Sequence, residues 1–139
     1  MTDRRTALEK ICRDQQVEIL YVFGGRTQEV REWLDDQSVE LSTSQLGFNI
    51  SVKAPRNVWW SVDEKLKMTI ALEGLLGNQR VDLVILNAAD AFLAAEIIKG
   101  ERLYTHNEYK ADEYELYVLR RAGDLIEWNE KGARLFAQT

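Results

Sequence analysis

Three short stretches hold the residues whose types and spacing can do chemistry. The first is Tyr21-Val22-Phe23-Gly24-Gly25-Arg26, an apolar run that ends in two glycines and an arginine. Glycines at a strand-to-helix turn let backbone N–H groups approach a ligand, and the helix N-terminus that follows favours an anion. Arg26 adds a cation that can pair with phosphate. The same turn also serves as a plain connector. The second stretch is Gly47-Phe48-Asn49-Ile50-Ser51-Val52. Alternation puts Phe48, Ile50 and Val52 on one strand face and Gly47, Asn49 and Ser51 on the other. The first set needs a core, whereas the second is small, polar and uncharged. The third stretch is Val81-Asp82-Leu83-Val84-Ile85-Leu86. A carboxylate inside an aliphatic run is costly unless it is paired, hydrogen-bonded or bound to metal. Alternatively, Asp82 stands at the exposed beginning of the strand, beside Arg80.

The elements that must position these residues follow from pattern. Residues 3–15 read as a helix, with Ala7, Ile11 and Cys12 as its apolar stripe. Residues 17–23 are β-branched and aromatic, hence a strand. The run RTQEVREWLDD has helical spacing of Val30, Trp33 and Leu34. A polar loop leads to the strand at 47–52. After a loop at 56–60 that carries Trp59 and Trp60, a helix is expected over about 61–76. Ser61 and Glu64 form a capping box at its start and Gly77 stops it. Residues 80–86 form a third strand, 88–99 a short helix, 101–105 an extended segment and 108–130 a long helix. The last carries two apolar stripes, one of Tyr114, Tyr117 and Leu125, the other of Leu116, Leu119 and Ile126. Together they are wider than one packing surface requires, so one stripe serves the core and the other is left for a dimer or a partner. The expected class is α+β, a small mixed sheet with helices mainly on one face, in a single domain over 1–139.

Composition narrows the functions. The 139 residues are 45% hydrophobic and 29% charged, enough for one sizeable core. A formal net charge of −5 argues against extended nucleic-acid binding, which needs clustered Lys and Arg. A small ligand needs only a local patch. Cys12 is the lone cysteine, and the N-terminus lacks a signal-peptide run. No segment reaches the ~20 apolar residues of a membrane span, so a cytoplasmic location is expected. His106 is the single histidine, in a polar turn, which leaves no basis for a zinc site or a nucleophilic triad.

Phe23-Gly24-Gly25-Arg26, Gly47-Phe48-Asn49-Ile50-Ser51-Val52 and Val81-Asp82-Leu83-Val84, followed by FLAAEIIKGERLY and DEYELYVLRRAGDL, resemble a known family. It is the minimal nucleotidyltransferase (MNT) domains of the DNA polymerase beta superfamily, small bacterial domains encoded beside a HEPN-domain partner. The resemblance covers nearly all of the chain. It implies a first strand ending in Phe-Gly-Ser with a nearby Arg, a second with Asp-x-Asp, and a third with one more Asp. The carboxylates would hold divalent cations while a nucleoside monophosphate passes from a nucleoside triphosphate to a protein hydroxyl, often a tyrosine of the HEPN partner.

On that pattern Asp82 holds the third position as catalytic residue and metal ligand, while Gly47 and Asn49 stand where the other two carboxylates would be. Gly24, Gly25 and Arg26 fall at the nucleotide-binding turn, with Gly25 in place of the Ser. Sliding the alignment to Ser44-Gln45 leaves Gln45 and Gly47 at the two positions and restores no carboxylate. Mg²⁺ prefers anionic oxygens, and one carboxylate cannot neutralise two divalent cations beside a triphosphate. Glu40, on the preceding loop, is the one stand-in. Trp59 and Trp60 either anchor their loop or stack a base near the cleft.

The reading that follows is a catalytically degenerate MNT-antitoxin-type protein that acts by binding a HEPN-type partner, with Mg²⁺ relevant only if chemistry survives. A weak transferase using Asp82 with NTP, and a homodimeric or larger nucleotide-binding module, are the alternatives.

Overall fold

β-Branched and aromatic residues set the strands. A computed structural model describes residues 3–137, with side chains for 3–126. In it β1 (Ile19–Phe23), β2 (Phe48–Lys53), β3 (Val81–Ile85) and β4 (Glu101–Thr105) form one sheet in the order β3-β2-β1-β4. β1 runs antiparallel to β2 and β4, whereas β2 and β3 are parallel. A parallel pair needs a crossover, and α3 (Val62–Leu75) supplies it. The segment 101–105 is a full edge strand.

Local caps start the helices. Asp3 accepts the Thr6 N–H ahead of α1 (Arg4–Asp14), and Ser61 Oγ accepts the Glu64 N–H at 3.2 Å ahead of α3. α2 spans Thr27–Asp35. α4 (Ala91–Ile98) begins later than the expected residue 88, because Leu86–Ala88 forms a 3-10 turn and Asp90 is the cap. α5 runs from Glu108 to Ala137, past the expected 130. No helix of the described residues is long and apolar enough to cross a membrane.

Both faces of the sheet are covered. Leu20, Val22, Phe48, Ile50 and Val52 pack with Leu8, Cys12, Val30, Trp33, Met68 and Leu72 from α1, α2 and α3. Ile19 and Tyr21 pack with Ala94 and Ile97 of α4 and with Ala111 and Val118 of α5. Three of the five helices thus share one face, and the other face carries α4 and the first half of α5. Arg102 ties α5 to the sheet edge through Asp112 and Glu115, at 2.9 and 2.7 Å.

Neither expected stripe of α5 is its core face. The buried line is Ala111, Val118 and Ala122, while Leu116, Tyr117, Leu119, Leu125 and Ile126 are exposed. Small side chains let α5 lie close to the sheet, and the larger ones face outward. Cys12 is fully buried, and burial pushes its thiol up to about 12, so it is an inert core residue.

Candidate functional site

Strand register builds the site. Asn49 lies opposite Phe23 of β1 and opposite Asp82 of β3. Ile50 and Leu83 point into the first core, so Asn49 and Asp82 share the α4–α5 face. Gly24 follows β1 with φ +83°, a conformation suited to glycine, and a Cβ there would lie 2.7 Å from Asn49 Nδ2. The Asn49 amide is therefore seated against the Gly24 turn. Gly25 has open space around it, with nothing within 4 Å of an added Cβ.

Gly47 has a different neighbour. A Cβ on it would lie 2.8 Å from Arg80 Nε and 2.9 Å from Asp82 Oδ2. The Arg80 guanidinium thus crosses the space that a side chain at 47 would use, and its Nη2 pairs with Asp82 Oδ2 at 3.3 Å. The structure gathers Gly24, Gly47, Asn49 and Asp82 into one cluster, with Arg80 beside Gly47 and Asp82. Asp82 is 50% exposed, so it stands at the open beginning of the strand beside Arg80 rather than buried in an aliphatic run. A pair this exposed adds little stability; what it does is position a cation.

Arg26 is not available to a phosphate. Its side chain is 8% exposed and its guanidinium stacks on the Phe48 ring, 3.8 Å from the centroid. Nε donates to Glu29 Oε2, Nη1 to the Leu46 carbonyl and Gln79 Oε1, and Nη2 to Glu29 Oε1 and the Ser42 carbonyl, at 2.7–3.1 Å. Guanidinium has five N–H donors, and all five are used. The expected nucleotide ligand is a clamp that holds the loop between α2 and β2. Glu29 also accepts the Ser42 N–H and hydroxyl. The Arg26 bonds, joined by those from Ser42, hold the Glu29 carboxyl down at about 2.

The remaining candidates are dispersed. Glu40 is exposed, with no hydrogen bond or ion pair among the described residues. Trp60 packs against the first core and anchors its loop, while Trp59 is 82% exposed. His106 is exposed at the start of α5. Ser51 is fully buried and donates to the Val84 carbonyl at 2.9 Å, so the third small polar residue of its strand face serves sheet pairing.

The residues present do not fit a two-cation centre. Among the described residues no three His, Cys, Asp or Glu side chains converge, and Asp82 faces a guanidinium. Arg80 entered the sequence reading only as the neighbour of an exposed Asp82, and the motif gave it no role in the site. The i, i+2 spacing of Arg80 and Asp82 on one strand face was the available signal.

Helices on both faces of a four-stranded mixed sheet, with a glycine turn at the end of β1 seated against Asn49 of β2, make a fold that solved structures share, the nucleotidyltransferase-like α+β fold. Solved structures with this fold include the toxin–antitoxin complex MntA–HepT, at TM-score 0.62 and 14% identity over 98% of this chain and 97% of that one. A toxin–antitoxin with AMP-PNP aligns at TM-score 0.66 and 14% identity, over 97% and 98% of the two chains. A Shewanella oneidensis tri-AMPylated HEPN toxin in complex with MNT antitoxin gives 0.63 and 14%, over 98% and 97%. No family model matches the sequence, and no curated protein does.

Proposed function

We propose that this chain is an MNT-type antitoxin module that works by binding a HEPN-type partner and does not transfer nucleotides. The observation that carries the proposal is Arg80. It lays a guanidinium across Gly47 and onto Asp82, in the space where the resemblance calls for carboxylates and metal. Phosphoryl transfer depends on cations neutralising developing charge at the reacting phosphate. A guanidinium already paired with the one carboxylate supplies no site for them. Partner binding is supported by the shared fold, whose neighbours are toxin–antitoxin complexes, and by the exposed stripe of Leu116, Leu119 and Ile126 on α5. Contiguous exposed apolar residues of this kind mark interaction surfaces.

The test is co-expression with the product of the neighbouring gene, followed by incubation with α-labelled ATP and Mg²⁺ or Mn²⁺. The expected result is a stable complex with no label on the partner. Label transfer abolished by Asp82→Asn would overturn the proposal.

A further inference from the structure

A second concave surface lies at the other end of the same sheet face. Asn49 and Lys53 are four residues apart on β2, or about 13 Å at ordinary strand rise. Between the ends of β2 and β3, the start of α4 and the middle of α5 is a cleft of about 450 Å³. Lys53, Arg56, Asn87, Tyr114, Tyr117 and Arg121 line it, with small residues of α4, and among the described residues no carboxylate does. That volume falls within the range of small-ligand sites, roughly 300–1,000 Å³.

The cations are distinctive. Lys53 is 15% exposed, tethered to Glu18 Oε1 at 3.0 Å and to the Ala54 carbonyl at 3.3 Å, with Nζ 5.1 Å from the Tyr114 ring centroid. Two of its three donors are used among the described residues. Among the described residues every arginine has a carboxylate or carbonyl partner except Arg56, Arg120 and Arg121. Two of those three line this one cleft. In a chain of net charge −5, two arginines with no carboxylate partner among the described residues, gathered at one cleft, favour an anion there. Tyr114 and Tyr117 stand beside them, ring centroids 6.3 Å apart and tilted by 38°. Tyrosine faces of this kind stack nucleobases whatever the sequence.

We propose that this cleft binds a nucleoside monophosphate, its phosphate among Lys53, Arg56 and Arg121 and its base against Tyr114 and Tyr117. This goes beyond the partner-binding role and does not depend on it. The site is separate from the Gly24–Asn49–Asp82 cluster and needs no metal.

Calorimetric titration of the full chain with AMP, adenosine and inorganic phosphate at low salt tests it. AMP should bind saturably and more tightly than either fragment, and binding should weaken as salt rises. Arg56→Ser and Arg121→Ser should each weaken AMP about three- to tenfold, the range for an exposed charge-assisted contact. Both residues are exposed, so melting temperatures should not move. Arg120→Ser removes the same charge from outside the cleft and should leave affinity unchanged. Equal loss in Arg120→Ser would show general charge attraction and overturn the proposal. So would phosphate binding as tightly as AMP, or no saturable AMP binding. AMP binding lost in Asp82→Asn but kept in both cleft variants would assign the nucleotide to the other cluster and overturn it as well.

Discussion

At the scale of single residues, three positions set the character of the cluster. Gly24 and Gly25 look alike in sequence and differ in space. Gly24→Ala puts a Cβ against Asn49 at φ +83° and should destabilise by about 1–2 kcal/mol in urea unfolding. Gly25→Ala meets open space and should change stability little. Arg26 and Glu29 form a clamp with a pH signature. The Glu29 carboxyl is held at about 2, from an ordinary 4.5. A depressed folded-state value contributes stability that is fully present above the unfolded value and is lost as pH falls through the folded one. Thermal unfolding from pH 5 down to 2 should therefore show a decline in the native protein that is shallower in Glu29→Gln, which begins less stable. Arg80 decides the metal question. Gly47→Asp with Asn49→Asp adds two carboxylates to Asp82, but Arg80 remains beside them as an internal counter-ion. Adding Arg80→Ser should give a protein whose melting temperature rises with Mn²⁺, since a ligand that binds only the folded state stabilises it. The double variant that keeps Arg80 should respond far less. A triple variant indifferent to Mn²⁺ would show that the cluster is not a metal-site framework.

At the scale of elements, the loop of residues 36–47 has no regular structure, yet two arginines pin it. Arg4 donates to the carbonyls of Trp33, Asp36 and Val39 at 2.7–3.0 Å and stacks over the Trp33 ring. Arg26 holds the far end at Ser42 and Leu46. None of this was legible in the sequence, because the acceptors are backbone carbonyls and carry no residue signature. The strands were legible. The alternation of Phe48, Ile50 and Val52 against Gly47, Asn49 and Ser51 showed which face of β2 meets the core, and the aliphatic run around Asp82 marked β3. The core face of α5 was not, since alanines at 111 and 122 are weak signals beside the large exposed residues. That exposed face makes a prediction. Leu116→Glu with Leu119→Glu should abolish co-purification of a HEPN-type partner while leaving the melting temperature within a few degrees, because both positions are solvent-facing.

At the scale of the whole molecule, the sheet divides its labour. One face carries α1, α2 and α3 and the other α4 and α5, with the exposed Asp82 at one end of that second face and the cleft at Lys53 at the other. The α+β class and the succession of elements were readable because glycine turns and period-two alternation are local signals; the sheet order β3-β2-β1-β4 was not, because it is set by long-range pairing. The role of Arg26 was misread for a corresponding reason: only its three-dimensional partners reveal that no donor is left over. Nucleotide binding to the whole protein should be indifferent to Mg²⁺, since Asp82 is already paired with the Arg80 guanidinium. Titration of ATP with and without Mg²⁺ checks this, and strong Mg²⁺ dependence would show a metal site assembled from other residues.

Arg80 also constrains the order in which sequence change can reach a metal-holding cleft. Introducing an acid at position 47 first merely hands the guanidinium a second counter-ion. Removing the guanidinium first leaves one aspartate facing solvent. Neither step gains a ligand set, so the two changes are productive only in combination. A library of single substitutions screened for divalent-cation binding should therefore return nothing at these positions, while paired substitutions at 47 and 80 should stand out. The Arg80 side chain and the tight seat of Gly47, where an added Cβ also meets the Arg80 carbonyl at 3.0 Å, together separate two regions of sequence space that share the same backbone.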